Sequence, residues 1–287
     1  MKNKKLKDII KKTKDKEKEM VSKSFIPEGC MNNTSNLSMQ NITECFNNKS
    51  TLQGIVENCD ENYNLYIQLG NNIQGIMPRT EVEGINIGED GLPKTNLCTG
   101  KVHKYVQFKI KEIKDNNTVL LSRKDVQNEA IEWVKNDLKA GDIVTGVVKR
   151  MESYGVFIEI GGGIVGLAHI EDLSIARIKS PFERLKIGQK IKVMVKSINR
   201  DDGRIILSYK ELLGSWEENA KQFAVGQKTI GIVRETEKNK NGIFIELTPN
   251  LVGMAEYKEG LNYGEKIDVA IKKIDYDKKK IKLIILN

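Results

Sequence analysis

Residues 144–169, VTGVVKRMESYGVFIEIGGGIVGLAH, decide the fold of this chain. They divide into three short apolar runs separated by turn residues. In the central run every second residue is branched and apolar, which is the period of a strand with one buried face. We expect the buried set to be Val156, Ile158 and Ile160. The intervening Phe157 and Glu159 are expected to point away from the core.

The same pattern occurs three times along the chain. Each copy opens with Gly-x-Val, at Gly54, Gly146 and Gly231. A second strand follows, reading YNLYIQL, YGVFIEI or NGIFIEL. A third strand begins with Gly and an apolar residue, and two more strands follow a glycine-containing turn, as in KIKVMVKSI and RIILSYK. Five short strands per repeat predict a mainly β chain of three tandem small barrels.

The linking segments differ from the repeats in composition. The first 23 residues hold ten Lys against four acidic residues, which predicts a disordered basic N-terminal tail. Apolar residues at helical spacing predict short helical linkers between the barrels. The predicted boundaries are a Lys-rich tail and Asn-rich linker at 1–49, a first barrel at 50–124, a helical linker at 125–139, a second barrel at 140–210, a helical linker at 211–225 and a third barrel at 226–287.

The charge and the cysteines narrow the class of protein. The formal net charge is +8, which favours a polyanionic partner. Twelve basic against eight acidic residues make the middle repeat positive, whereas the first repeat has nine of each. Cys30, Cys45, Cys59 and Cys98 show no metal-ligand spacing, so neither a metal site nor a cofactor is expected. No apolar run is long enough to span a membrane and no signal peptide is evident, which indicates a soluble cytoplasmic protein.

The glycine run and the fifth strand of the middle repeat also lead to structural predictions. The Gly161–Gly163 run has no G-K-S/T after it, so we expect a flexible turn and not a phosphate-binding loop. In the fifth strand, alternation places Ile205 and Leu207 inside and Arg204, Ile206 and Ser208 outside.

These motifs resemble the S1 RNA-binding domain, an OB-fold module. The resemblance rests on T-G-x-V, Y-G-V-F-I-E-I, G-L-A-H-I and R-I-I-L-S-Y-K in the middle repeat, and extends over about 50–287. It implies three S1-type OB-fold barrels with single-stranded RNA lying across one barrel face. The RNA-contacting positions that it implies are Tyr154, Phe157, His169 and Arg204.

The residues support this site independently of the resemblance. An outward Phe157 gains nothing from folding but provides a ring on which a base can stack. Tyr154 lies three residues earlier, so a bulge or sharp twist at Gly155 is needed to bring both rings together. Lys149 and Arg200 are candidates for backbone phosphates. In the other repeats the candidate RNA-binding residues are Tyr63, Tyr66 and Phe244, but Pro78 and Glu256 replace the histidine.

The sequence contains no nucleophile elbow, H-E-x-x-H motif or paired carboxylates, so we interpret the chain as a non-enzyme without a small-molecule substrate. The leading hypothesis is a protein that binds single-stranded RNA, chiefly mRNA, in translation, with the 30S ribosomal subunit as a candidate partner. One alternative is an RNA-turnover or regulatory factor that does not act on the ribosome. Another is a protein-interaction scaffold built from divergent barrels.

Overall fold

A computed structural model describes residues 25–32, 36–70, 72–85, 87–115, 117–235 and 242–286. The expectation of a disordered tail over the first 23 residues lies outside this part of the chain. The described residues fall into two compact units. The first ends at Val147 and also takes in Glu159–Val165, and the second comprises Val148–Ile158 and the chain from Gly166 onward.

Fifteen strands of the described chain form three closed five-stranded barrels. The first barrel contains β1 Leu52–Cys59, β2 Leu65–Gly70, β3 Ile73–Met77, β4 Tyr105–Ile113 and β5 Thr118–Ser122. The middle barrel contains β6 Ile143–Glu152, β7 Gly155–Gly161, β8 Ile164–His169, β9 Lys190–Asn199 and β10 Arg204–Ser208. The third contains β11 Lys228–Glu235, β12 Ile243–Thr248, β13 Leu251–Ala255, β14 Lys266–Asp275 and β15 Lys280–Ile285.

The three barrels share one strand order. In each, the first three strands are neighbours, the fifth strand pairs with the third, and the fourth strand closes the barrel against the first. The third and fifth strands run parallel, with partners such as Leu167 and Ile206 in the middle barrel. This is a five-stranded Greek-key barrel of the OB type, so the predicted fold class is confirmed.

The glycine that opens each third strand has a packing role. A side-chain carbon at Gly75, Gly166 or Gly253 would come within 2.5–2.7 Å of a leucine side chain on the fifth strand. The leucines are Leu121, Leu207 and Leu283. Only glycine leaves room for this close approach, which explains why the Gly-plus-apolar signature recurs in all three repeats.

Five α-helices lie among the described residues: α1 Met39–Asn47, α2 Arg79–Val82, α3 Thr95–Thr99, α4 Arg123–Asn136 and α5 Trp216–Ala220. Helix α1 falls within the Asn-rich segment that the sequence suggested to be a linker. Ser38 caps it by accepting a hydrogen bond from the Asn41 amide, and Ile42 is fully buried in the core of the first barrel. The prediction of a linker is therefore wrong for α1, because a capping box and one buried isoleucine fix this helix.

The two connectors between barrels differ in helix content. Helix α4 follows β5 directly, capped by the Ser122 hydroxyl, which accepts from the Asp125 amide. The second connector is not one helix over 211–223. It contains a 3₁₀ turn at Lys210–Leu212 and the short α5, because Gly214 interrupts them with a φ of 83°.

A buried ionic cluster in the first unit covers Glu159. Its carboxylate points out of the barrel as predicted, but Oε2 accepts a hydrogen bond from the Glu28 amide at 2.9 Å, and the side chain is buried. The Glu28 carboxylate accepts in turn from Arg123 Nε at 2.7 Å. The segment preceding α1 therefore supplies a cover that strand alternation alone does not reveal.

The Gly161–Gly163 turn is tightly packed, contrary to the expectation of a flexible turn. All three glycines have positive φ, and side-chain carbons here would overlap Phe25, Ala130 and Arg123. Ser208 was also expected to point outward, but it is fully buried. Its hydroxyl donates to the Asp172 carbonyl oxygen at 3.4 Å, so the turn after β8 covers this end of β10.

Candidate nucleic-acid interface

Two aromatic rings meet on the outer surface of the middle barrel. The Tyr154 and Phe157 ring centroids lie 6.2 Å apart with the rings at 84°, an edge-to-face pair. Tyr154 is 47% exposed and Phe157 is half-buried. Tyr154 belongs to the two-residue turn before β7 and not to the pleated strand, which is why a spacing of three brings the rings together.

Gly155 makes this arrangement possible because it leaves room for the neighbouring strand. A side-chain carbon at Gly155 would lie 2.5 Å from the Ala168 carbonyl oxygen and 3.1 Å from the His169 Cα. The absence of a side chain lets β8 approach the start of β7. Tyr154 is fixed there because its carbonyl oxygen accepts from the Ile170 amide at 2.8 Å.

His169 ends β8 with its side chain exposed, in the segment that is hydrogen-bonded to Tyr154. Its Nδ1 accepts a weak hydrogen bond from the Glu171 amide at 3.5 Å and caps the 3₁₀ turn Ile170–Asp172. This contact involves Nδ1 and not Nε2. The imidazole can therefore stack on a base or donate to a base edge or a phosphate.

Arg150 is a residue of this surface that the sequence analysis missed. Its guanidinium carbon lies 4.1 Å from the centroid of the Phe157 ring, within cation–π distance. Nε also lies 3.5 Å from Glu152 Oε1. The residue predicted from the sequence to contact a backbone phosphate was the neighbouring Lys149, which is exposed on β6.

A break in the alternation of β6, at the position of a β-bulge in the first barrel, accounts for the difference between Lys149 and Arg150. In the first barrel the register shifts between Val56 and Asn58, and Asn58 then lies opposite Tyr66. Arg150 occupies the position in β6 that matches Asn58 in β1. Three consecutive buried residues followed by two exposed ones mark the break in alternation. A bulge adds one residue to the strand and re-aims the next side chain, here toward the ring.

The predicted basic residue Arg204 lies at the far end of the face. It is 80% exposed and its Nε lies 3.2 Å from Asp202 Oδ2. Because Ile206 pairs with Leu167 in parallel, Arg204 and His169 lie four residues apart along the strands, or roughly 13 Å. Arg200 is exposed in the turn before β10. The structure thus brings Tyr154, Phe157 and His169 together and leaves the two arginines at the opposite edge.

In the first barrel the aromatic residues are engaged in contacts with their own barrel. The Tyr66 hydroxyl donates to Asp60 Oδ2 at 3.0 Å, and this hydrogen bond is the main cause that raises the pKa of Tyr66. The Arg79 guanidinium carbon lies 5.3 Å from the centroid of the Tyr63 ring. Both Tyr63 and Tyr66 are only half-exposed.

The third barrel presents one exposed ring. Phe244 is 44% exposed and lies opposite Met254 on the neighbouring strand. Glu256 occupies the position of the middle barrel's histidine, with Oε1 3.7 Å from Lys272 Nζ. Asn241, which replaces the tyrosine in sequence, lies outside the described residues.

The described residues contain neither a candidate metal site nor a candidate membrane-spanning helix. Among the described residues no group of three or more His, Cys, Asp or Glu side chains is placed to hold a metal ion. No helix in the described part of the chain is long and apolar enough to cross a membrane.

Comparison with known families identifies the middle barrel. Residues 137–210 match the family model of the S1 RNA binding domain, which confirms the resemblance noted in the sequence of the middle repeat. Over a longer span the chain is similar to small ribosomal subunit protein bS1 of Staphylococcus aureus (strain MRSA252), with 32% identity over 226 residues.

That similarity covers 70% of this chain and 57% of the relative. The bS1 protein of Rhizobium meliloti (strain 1021) is 30% identical over 246 residues, which cover 75% of this chain and 43% of the relative. The chain therefore spans about half the length of the curated relatives that it matches. Among solved structures, an a/eIF2alpha–aDim2p–rRNA complex from Pyrococcus horikoshii OT3 has 28% identity and a TM-score of 0.26, covering 30% of this chain and 51% of that one.

Proposed function

We propose that this chain binds single-stranded RNA, chiefly mRNA, through the outer face of its middle barrel, and that it acts in translation in the cytoplasm. The observation that carries the proposal is the edge-to-face pair of Tyr154 and Phe157 in a barrel that matches the S1 RNA binding domain. Each base stacked on such a ring gains about 1–3 kcal/mol.

The charges around the rings support an RNA partner over an apolar one. Arg150 lies against Phe157 and Arg204 is exposed at the far edge of the face. Planar guanidinium groups stack on bases and also pair with phosphates. The track from Tyr154 to Arg204 therefore offers stacking at one end and phosphate contacts at the other, which suits an extended single strand.

The direct test is a titration of a fluorescently labelled single-stranded RNA with the full chain at several salt concentrations. The logarithm of the association constant should fall linearly with the logarithm of the salt concentration, because cations released from the phosphates drive binding. A blunt double-stranded RNA should compete poorly. Absence of binding at low salt, or binding insensitive to salt, would overturn the proposal.

Association with the ribosome is the second part of the proposal and rests on the bS1 relatives. Co-sedimentation of the chain with 30S subunits tests it. Co-sedimentation that persists after nuclease treatment of free mRNA supports a ribosomal role. RNA binding without co-sedimentation would favour a turnover or regulatory factor, while salt-resistant binding to proteins alone would favour a scaffold.

A further inference from the structure

A buried carboxylate beside the RNA face holds two lysine side chains. Asp172 is 3% exposed and ends the 3₁₀ turn that His169 caps. The Lys196 ammonium donates to Oδ1 at 2.8 Å and to Oδ2 at 2.9 Å. The Lys210 ammonium lies 3.0 Å from Oδ1 and donates to the Glu171 carbonyl oxygen at 3.0 Å. The one buried carboxylate therefore holds two ammonium groups, and the acidic side chains of Glu171 and Glu211 also act electrostatically on Lys196.

The cluster adjoins the aromatic pair through one short segment. The Ile170 amide binds the Tyr154 carbonyl oxygen at 2.8 Å, and two residues later the Asp172 carbonyl oxygen accepts from the Tyr209 amide at 2.8 Å. The turn therefore ties the start of β7 to the end of β10. His169 directly precedes this turn and caps it.

The charged state of the cluster is stable at neutral pH. Burial opposes ionisation of Asp172, but hydrogen bonds from Lys196 and Lys210 outweigh it and lower the pKa of the carboxyl group. The hydrogen bond to Asp172 also raises the pKa of Lys196. Lys196 is about half-exposed, and an ammonium group has three donors, so a donor remains for a ligand.

We propose that Asp172 is a positioning residue that presents Lys196 and Lys210 to a backbone phosphate of RNA, next to the base stacked on Tyr154 and Phe157. This inference rests on the proposed RNA-binding function and extends its site beyond the aromatic face. A phosphate fits because the lysines are fixed near one another, keep free donors and carry more charge than the carboxylate neutralises.

The other barrels contain the same bulge but a different charge balance. Lys196 is the extra residue where β9 shifts register against β10, between Val195 and Ser197. Lys111 and Lys272 occupy the corresponding bulges. Lys111 pairs with Glu81 and Lys272 with Glu256, and each of these is one cation beside one anion. The two-lysine arrangement therefore distinguishes the middle barrel and assigns the phosphate contact to it.

Asp172→Asn gives the sharpest test, because two explanations predict opposite results. General electrostatic attraction predicts tighter RNA binding when a negative charge is removed. Positioning predicts weaker binding, on the order of fivefold at low salt, because the released lysines must be re-ordered. Glu211→Gln is the matched control, since Glu211 is exposed and acts electrostatically on Lys196. It should leave RNA binding unchanged or slightly tighter.

Lys196→Gln tests the phosphate contact with little risk to folding, because Lys196 lies at the surface. It should weaken single-stranded RNA binding and reduce the slope of the log–log salt plot by about 0.7, the value for one phosphate contact on a single strand. Lys192→Gln, an exposed lysine on the same strand, should change the affinity by less than about twofold. Thermal unfolding confirms that each variant is folded.

The outcomes separate this inference from the proposed function. Suppose that the wild-type chain binds RNA and that Tyr154→Ala/Phe157→Ala weakens this binding. If Asp172→Asn then binds RNA as tightly as Glu211→Gln, and Lys196→Gln keeps the wild-type salt slope, the positioning role of Asp172 is wrong but RNA binding by the aromatic face is supported. If wild-type chain does not bind RNA, the proposed function itself fails. If Asp172→Asn does not fold, the salt slope of RNA binding by Lys196→Gln is the deciding measurement: a reduced slope supports the phosphate contact and an unchanged slope contradicts it.

Discussion

At the scale of single residues, Arg150 and Tyr154 set the chemistry of the candidate interface. Tyr154 reaches Phe157 because it lies in the turn before β7. Arg150 reaches the same ring because β6 breaks its alternation just before it. Both effects depend on one-residue departures from regular pleating. Sequence periodicity predicts the strands well, but it cannot locate a bulge, and it therefore favoured Lys149 over Arg150.

Arg150→Ala should weaken RNA binding more than Lys149→Ala, although each removes one positive charge from neighbouring positions on β6. The guanidinium that lies against Phe157 contributes stacking in addition to charge, so a further loss of about 1 kcal/mol is expected. Arg150→Lys should fall between wild type and Arg150→Ala. Equal losses for the two alanine variants, measured by fluorescence anisotropy, would show that only the charge of Arg150 matters.

At the scale of elements, the strands common to the three repeats were predictable from the sequence, but the segments that pack over the outer side of the middle barrel were not. The strands were predictable because Val156, Ile158 and Ile160 alternate with outward residues, and all three are fully buried. Glu159 and Ser208 follow the same period yet are buried. Their covers come from the segment at Glu28 and the turn at Asp172. Such contacts join distant parts of the chain and leave no local signal in the sequence.

The second unit contains a further element of this kind, a buried ionic network around Glu246. This carboxylate accepts from Arg184 Nη2 and from Arg234 Nε, both at 2.5 Å. Arg234 also pairs with Glu183. All three partners of the Arg234–Glu246–Arg184 set are nearly fully buried. Together they join the connection between β8 and β9 to strands β11 and β12.

Glu246→Gln should lower the free energy of unfolding by about 3 kcal/mol, because it leaves the buried Arg184 guanidinium without its carboxylate and Arg234 with Glu183 alone. The measurement is urea denaturation followed by circular dichroism. The control is Glu217→Gln, which breaks the exposed pair with Lys279 and should have a much smaller effect, because solvent screens an exposed ion pair. Similar effects of the two substitutions would contradict a stabilising role for the network.

At the scale of the whole chain, three barrels of one topology present three different surfaces. The middle barrel carries two rings and a histidine, and it matches the S1 RNA binding domain. In the first barrel the Tyr66 hydroxyl donates a hydrogen bond to Asp60, and in the third the exposed Phe244 pairs with Met254, two residues before Glu256. The three barrels therefore share one fold but differ in the residues at the candidate RNA-binding positions, and we infer that they contribute unequally to RNA binding.

Alanine substitution at three matching strand positions tests this inequality in the full chain. Phe157→Ala should weaken binding of single-stranded RNA by roughly tenfold, the loss of one stacked base. Tyr66→Ala and Phe244→Ala should each change it by less than about threefold, since an engaged tyrosine and a ring beside a carboxylate offer weaker stacking sites. Comparable losses at all three positions would indicate three equivalent binders.

The sequence alone predicted the number of barrels, their OB-fold class by resemblance, and the differences between the repeats in charge and aromatic content. It did not give the two-lysine cluster at Asp172, because Lys196, Lys210 and Asp172 come from three separate segments. Nor did it place Arg204, which follows from the parallel pairing of β8 and β10. Local motifs could be predicted from the sequence, whereas contacts between side chains that barrel closure brings together could not.

We infer that the Tyr154–Phe157 pair forms the main RNA-stacking surface of the chain. The most direct measurement is the dissociation constant for a labelled single-stranded RNA, compared between wild type and Tyr154→Ala/Phe157→Ala at one salt concentration. Loss of two stacked bases predicts a reduction in affinity of about 2–6 kcal/mol, at least thirtyfold, with the salt slope nearly unchanged. Equal affinities for the two folded proteins would contradict the claim.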